Sequence, residues 1–148
     1  MVGMLSGGCQ CGRVRFEARL ENFDACACHC RMCQRASGNV FIAFKNLKKA
    51  DLRWLGEEPD YYASSSFARR GYCRQCGTPL SFDYPDSETI DLTVGSFDSP
   101  GDFVPTSHFG IESRLEHWRR LDGLPEMRAD EYQPLVDRWT KHVGKLPD

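Results

Sequence analysis

Eight cysteines in three tight groups are the residues of this chain best suited to chemistry. The first and last groups are the pairs Cys9-Gln10-Cys11 and Cys73-Arg74-Gln75-Cys76, each followed by a glycine that lets the backbone curl toward the sulfurs. Thiolates so close in sequence point at a common centre, which suits a soft tetrahedral metal such as zinc. We therefore predict one closed structural zinc site, which would tie the start of the chain to its middle. Its four ligands are Cys9, Cys11, Cys73 and Cys76.

The middle group supplies three further ligands within six residues: Cys28, Cys30 and Cys33. Three ligands leave one position of a tetrahedral metal open, and an open position is where zinc does chemistry. The alternative is a second closed site, completed by Cys26 or His29. Strand alternation places Cys26 on the same face as Cys28, where it either lines the site or is a small buried residue. The same alternation turns His29 to the opposite face, so we expect it to be exposed or hydrogen-bonded rather than a ligand.

Disulfides are the competing interpretation, because eight is an even number of cysteines. Three observations oppose them. The first eight residues lack the basic and apolar runs of a signal peptide, no apolar stretch approaches a membrane span, and CxC partners cannot bridge each other without strain. We expect a cytoplasmic chain with reduced, metal-binding thiols.

Size and composition describe an ordinary globular protein. The 148 residues suit a single domain over residues 1–148, with 41% apolar and 27% charged residues. The net charge of −2 provides no basic field, so we expect neither a nucleic-acid nor a membrane partner.

Alternating apolar and polar residues predict a series of short strands. The clearest spans residues 13–20, where Val14, Phe16, Ala18 and Leu20 share one face. A spacing of about ten residues between strands is typical of an all-β sheet architecture. The other predicted strands cover residues 40–44, 52–54, 61–67, 79–82 and 89–94.

The end of the chain has a different period. Apolar residues from Tyr132 to Val143 recur at helical spacing, which predicts an amphipathic helix over about residues 130–144, with Pro134 in its first turn and Gly144 at its end. We interpret Tyr132 and Trp139 as core residues packed against the sheet. Residues 105–123 show no clear pattern.

Several of these motifs together resemble the glutathione-dependent formaldehyde-activating enzymes, a family within the centromere protein V superfamily. The resemblance covers about residues 5–125, and it implies a mainly β structure, the β-tent fold of stacked antiparallel sheets that zinc-containing Rab-binding chaperones share. It also implies a structural zinc at the four-cysteine site and a catalytic zinc at Cys28, Cys30 and Cys33. The matching segments are Gly7-Gly8-Cys9-Gln10-Cys11-Gly12, Cys28-His29-Cys30-Arg31-Met32-Cys33, Ser37-Gly38-Asn39, residues 72–80 and Asp122-Gly123-Leu124-Pro125.

The activity implied by the resemblance is that of a carbon–sulfur lyase, which forms or cleaves S-(hydroxymethyl)glutathione from glutathione and formaldehyde or a related thiol and aldehyde. Glutathione would then be the co-substrate and small-molecule partner. The alternative is a non-enzymatic zinc scaffold that binds a protein.

Glutathione carries two carboxylates, which arginine binds well. Arg31 and Arg35 are the first candidates because they lie beside the second centre in sequence. The loop at Ser37 and Gly38 could offer backbone N–H groups to an anion. Further candidates are Arg69 and Arg70, which precede the CxxC pair, and His108 as a proton shuttle.

Overall fold

The computed structural model describes residues 2–145, which form two compact units that divide between Glu116 and His117. The first unit contains ten strands and a short helix, and the second contains one helix. The strands are β1 (Gly3–Gly8), β2 (Val14–Leu20), β3 (Asp24–Cys28), β4 (Ile42–Lys48), β5 (Leu52–Gly56), β6 (Asp60–Ala63), β7 (Arg69–Tyr72), β8 (Pro79–Asp83), β9 (Thr89–Thr93) and β10 (Val104–Phe109). The helices are α1 (Arg31–Ser37) and α2 (Gln133–His142).

The strands of the first unit make two sheets. The smaller sheet has the order β1-β2-β5, and the larger has the order β10-β3-β4-β9-β8-β7-β6. Neighbouring strands are antiparallel except β10 and β3, which run parallel. The mainly β architecture predicted from strand spacing is therefore confirmed, with one parallel pair added at the edge of the larger sheet.

The two sheets pack face to face through the apolar side of β2. Its alternating residues Val14, Phe16, Ala18 and Leu20 are all buried, as their period of two predicts. The ring of Phe16 meets Trp54 of the same sheet edge-on, with centroids 5.7 Å apart. Three of the four β2 residues share one apolar cluster with residues of the larger sheet and the segment after it, namely Leu47, Ile90, Leu92 and Phe97.

The second unit contains the predicted C-terminal helix. It begins at Gln133 with Pro134 in its first turn and ends at His142, inside the predicted range. No residue of the helix is buried, and Tyr132 is half exposed. The interpretation of Tyr132 and Trp139 as core residues is therefore wrong, because a unit of about thirty residues has too little chain to build a core of its own.

Neither helix within residues 2–145 has the length and apolar character needed to cross a bilayer.

Candidate metal centres

The first cysteine cluster lies where two similar loops leave β1 and β7. Cys9 directly follows β1, and Cys73 directly follows β7. In each loop a glycine N–H donates back to the carbonyl of the first cysteine, from Gly12 at 3.0 Å and from Gly77 at 2.7 Å. Both glycines have a φ near +80°, a conformation that glycine adopts without steric cost. The glycine after each pair thus closes a tight turn around the sulfurs, as predicted.

The four sulfurs of this cluster lie within 4.8 Å of one another. The Sγ atoms of Cys9 and Cys11 are 3.5 Å apart, and those of Cys11 and Cys73 are 3.7 Å apart. All eight cysteines are free thiols. Four converging soft donors fit a closed tetrahedral zinc site, so the structure brings together the residues predicted for the structural metal. The fourth member is Cys76.

Neighbouring side chains set the charge of this first cluster. The hydroxyl of Thr78 lies 3.2 Å from the sulfur of Cys76, and its hydrogen bond is the main cause that lowers the pKa of that thiol to about 5. Cys76 is therefore a thiolate at neutral pH, the form that a metal binds. Nη1 of Arg13 lies 4.0 Å from the Cys73 sulfur and 2.8 Å from a carboxylate oxygen of Asp60. These contacts attach the cluster to the end of β6.

The second cluster lies where β3 ends and α1 begins. Cys28 is the last residue of β3, Cys30 is the N-cap of α1, and Cys33 lies in the first turn of that helix. The three sulfurs also lie within 4.8 Å of one another. Cys26 belongs to neither cluster, although it shares a strand with Cys28. Among the described residues, no fourth cysteine joins this cluster. Its three thiolates therefore fit a zinc ion with one open coordination position.

The thiols of the second cluster differ in charge because their surroundings differ. Burial raises the pKa of the Cys28 thiol to about 12. Burial also opposes ionisation of Cys30, but it is outweighed by the N–H of Cys33, which donates to the Cys30 sulfur at 3.3 Å, and by the neighbouring thiols. The pKa of Cys30 is therefore lowered, so the sulfur that caps the helix ionises first.

Hydrogen bonds from two other segments hold the backbone of this cluster. The amide of the buried Gln34 donates to the carbonyls of His29 (2.9 Å) and Ser113 (3.0 Å). The N–H of His29 donates to the carbonyl of Phe109 at the end of β10 (2.8 Å). Gly110 then passes so close that a Cβ there would lie 2.8 Å from the backbone nitrogen of Cys30. The end of β10 thus supports the cluster from outside.

His29 contacts a second histidine rather than the sulfurs. Its Nε2 lies 2.9 Å from Nδ1 of His108, on the parallel neighbour strand β10. Burial, followed by the charge of His108, lowers the pKa of His29. The expectation that His29 is hydrogen-bonded is confirmed, and its side chain is buried rather than exposed. A proton-shuttle role for His108 stays a prediction.

A cavity of about 450 Å³ lies between α1 and the strands β4, β7 and β8. Its walls are largely apolar and aromatic, and its charged residues are two arginines, Arg35 and Arg70. The hydroxyl of Ser81 lines it, is buried, and has no hydrogen-bond partner. The remaining lining residues include Met32, Ile42, Phe44, Tyr62, Tyr72 and Pro79.

The residues predicted to bind substrate divide between this cavity and the backbone of α1. Arg35 lines the cavity. The other three predicted residues do not line it, namely Arg31, Ser37 and Gly38. Arg31 donates to the side-chain oxygen of Gln34 (2.5 Å), and the Ser37 hydroxyl donates to the carbonyl of Cys33 (2.8 Å). Gly38 ends the helix α1. Their part in binding a thiol stays a prediction.

Two residues of the cavity, Ser81 and Arg70, are not marked as site residues by the sequence pattern. Ser81 lies in β8, where alternation of residues shows which face of the strand a side chain is on but not what it contacts. The sequence therefore cannot show that the Ser81 hydroxyl lacks a hydrogen-bond partner. The sequence does not separate Arg70 from Arg69, because adjacent arginines look alike in a linear pattern. Strand alternation could have separated them: Arg69 pairs with Asp83 (3.0 Å), whereas Arg70 points into the unit, toward Cys33.

The sequence pattern of the family described as glutathione-dependent formaldehyde-activating enzyme matches residues 4–113. This match includes both cysteine clusters, all of β2 to β10 and β1 from its second residue onward. The chain belongs to this family. The resemblance carried by the cysteine motifs is therefore confirmed, and the family region ends close to the boundary between the two units.

Two relatives extend this comparison. An uncharacterized lyase of Schizosaccharomyces pombe is 35% identical over 82 residues, which are 55% of this chain and 59% of the relative. The present chain thus spans less than two thirds of that protein. A crystal structure of a Rhodobacter sphaeroides protein superposes with a TM-score of 0.58 at 26% identity, and covers 70% of this chain and 99% of its own. That protein is therefore similar in fold to this chain.

Proposed function

We propose that this chain is a zinc-dependent carbon–sulfur lyase that forms or cleaves S-(hydroxymethyl)glutathione, or a related adduct of a thiol and an aldehyde. The observation that carries the proposal is the three-thiolate cluster of Cys28, Cys30 and Cys33 beside an arginine-containing cavity, in a chain of this family. The lyase name of the yeast relative agrees with it. The four-cysteine cluster would hold a second zinc with a purely structural role.

The reaction needs a thiolate next to an aldehyde carbon. Zinc held by the three cysteines would supply an open position that lowers the pKa of an incoming thiol. In the forward direction the sulfur attacks the carbonyl carbon, a C–S bond forms, and the π pair moves to oxygen. The oxygen gains the proton that the thiol lost, so nothing is oxidised or reduced. Cleavage is the reverse.

The chain's own residues would bind and orient the thiol. The cavity is large enough for a small peptide-like ligand. Arg35 lines it and forms no ion pair with an acidic side chain of residues 2–145, so its guanidinium is available for a ligand carboxylate. The apolar walls formed by Ile42 and Phe44 also contact the second cluster, which places the cavity beside the sulfurs and limits water there.

The proposal is tested by counting metal and measuring turnover in matched variants. Elemental analysis is expected to find two zinc ions per wild-type chain, one in Cys28→Ser and two in Cys26→Ser. Cys26 is the control because it lies two residues away on β3 but outside both clusters. Exchange of ¹³C-labelled formaldehyde with its glutathione adduct, followed by NMR, is expected to be faster with wild type and Cys26→Ser than without protein.

Cys28→Ser is expected to exchange at the uncatalysed rate. If wild type with two zinc ions also left the rate unchanged for glutathione and for small thiols, the lyase proposal would be wrong. The scaffold alternative makes a different prediction for the metal: a single zinc ion per wild-type chain, which is retained in Cys28→Ser.

A further inference from the structure

Arg70 is the only arginine of β7 whose side chain enters the interior, and its guanidinium contacts a sulfur, a hydroxyl and an aromatic ring there. The residue is 8% exposed. Nη1 and Nη2 both point at the Cys33 sulfur, at 3.5 and 3.4 Å, and Nε donates to the Ser64 hydroxyl at 3.0 Å. The guanidinium carbon lies 4.9 Å from the centroid of the Phe82 ring. These contacts leave the group a single orientation.

A buried guanidinium needs a countercharge, and Arg70 has no carboxylate to provide it. Within residues 2–145 no ion pair joins Arg70 to an acidic side chain. Its neighbour Arg69, in contrast, pairs with Asp83 at 3.0 Å. An unpaired buried charge is strongly unfavourable, and the polar atoms that face the Arg70 guanidinium are the Cys33 sulfur and the Ser64 hydroxyl.

The charge of Arg70 changes the net charge of a metal centre at the second cluster. Three thiolates around a divalent metal carry a net charge of about −1, which Arg70 brings close to neutral. Binding a fourth thiolate returns the centre to about −1, whereas the same step without Arg70 would give about −2 in a poorly hydrated site. A fixed cation at the cluster therefore favours an anionic fourth ligand over a neutral one.

We propose that Arg70 is a positioning residue of the second centre: its paired donors fix the sulfur of Cys33, and its charge makes the centre accept an anionic sulfur ligand. The part concerning the incoming thiol rests on the proposed function, and the part concerning Cys33 does not. Arg70 also lines the cavity, so it touches both the cluster and the space beside it.

The test uses the full chain loaded with cobalt(II), whose sulfur-to-metal absorption reports the ligands directly. Variants Arg70→Gln and Arg70→Lys are compared with wild type and with Arg69→Gln. The last is the matched control, since it changes the adjacent arginine on the opposite face of β7. Two quantities are measured: the chelator concentration that removes the second metal, and the affinity for glutathione from the spectral change.

Arg70→Gln is expected to lose the second metal at about tenfold lower chelator concentration and to bind glutathione about tenfold or more weakly, the range typical of contacts that support a metal ligand. Arg70→Lys keeps the charge but not the paired donors, so it is expected to fall between Arg70→Gln and wild type. Arg69→Gln is expected to match wild type in both measurements. If Arg70→Gln does not fold, the intermediate values of Arg70→Lys decide the matter.

Equal metal retention and equal glutathione affinity in wild type and both Arg70 variants would overturn the inference. A wild-type spectrum that ignores glutathione would instead contradict the proposed function. In that case the chelator measurement alone decides whether Arg70 positions Cys33, with weaker retention in the variants supporting it and equal retention overturning it.

Discussion

Replacing Gly110 by alanine should dismantle the second cysteine cluster and spare the first. Gly110 has a φ of +66°, a left-handed conformation that costs an L-residue roughly 1–2 kcal/mol. Its new Cβ would lie 2.8 Å from the backbone nitrogen of Cys30 and 3.1 Å from the Cβ of the same residue. Neither atom is the end of a flexible side chain, so the backbone must shift, at a cost of about 1–3 kcal/mol.

Together these terms predict a loss of about 2–5 kcal/mol in the free energy of unfolding. The shift also strains the hydrogen bond from the His29 N–H to the Phe109 carbonyl, which holds the segment before Cys30. Gly110→Ala is therefore expected to retain the zinc of the first cluster and to lose the other.

Gly56→Ala is the matched control for this prediction. Gly56 also has a positive φ, +80°, but nothing lies within 4 Å of a Cβ there. Urea unfolding of the two variants separates the conformational cost, which both share, from the collision with Cys30, which only Gly110→Ala suffers. The reasoning is refuted if both variants lose the same stability and both keep two zinc ions.

Two further predictions concern the cavity wall and the acid range. A Cβ on Gly71 would lie 2.3 Å from the Ser81 hydroxyl, so Gly71→Ala should lower the free energy of unfolding in urea by about 1–3 kcal/mol. Adding Ser81→Ala removes the hydroxyl and should recover most of that loss. Equal stability of the single and double variants would contradict this. Ser81→Ala alone should cost little, because its hydroxyl has no partner to lose. Arg15 holds the pKa of Asp98 below its ordinary 3.8 through two hydrogen bonds, so their pairing stabilises the fold above that pH and is lost as pH falls through the lower folded value. Since both side chains are more than a third exposed, Asp98→Asn should cost under about 1 kcal/mol at pH 7 and progressively less as the pH falls below 3.8. A cost independent of pH would contradict the assignment.

Strands with a clear apolar period could be predicted, and strands without one could not. The predicted strand over residues 13–20 corresponds to β2, because burial of one face imposes alternation. β10 was missed because all six of its residues are exposed, so no apolar period marks it. β1 was missed for a related reason: three of its six residues are glycines, which suits a close approach of chains but carries no strand signal.

The candidate site shows the same division between local and tertiary information. The two sulfur clusters could be predicted because metal ligands converge at short spacings that are visible in the chain. The helix α1 could not, since seven residues are too few for a helical period and its start depends on the Cys30 sulfur accepting the Cys33 N–H. The His29–His108 contact was equally hidden, because it depends on a parallel strand pairing between distant residues.

The separation of the ligands in the first cluster has a consequence for biosynthesis. Cys11 and Cys73 are 62 positions apart, so at a translation rate of about 5–20 residues per second the first pair leaves the ribosome roughly 3–12 s before the second. The other cluster lies within six residues and can take up metal as soon as that short segment emerges. In a nascent chain the second cluster would thus take up metal before the first, although the first begins nearer the N-terminus. Cys9 and Cys11 would wait longest for their partners and would meanwhile be open to oxidation or to binding by a competing metal.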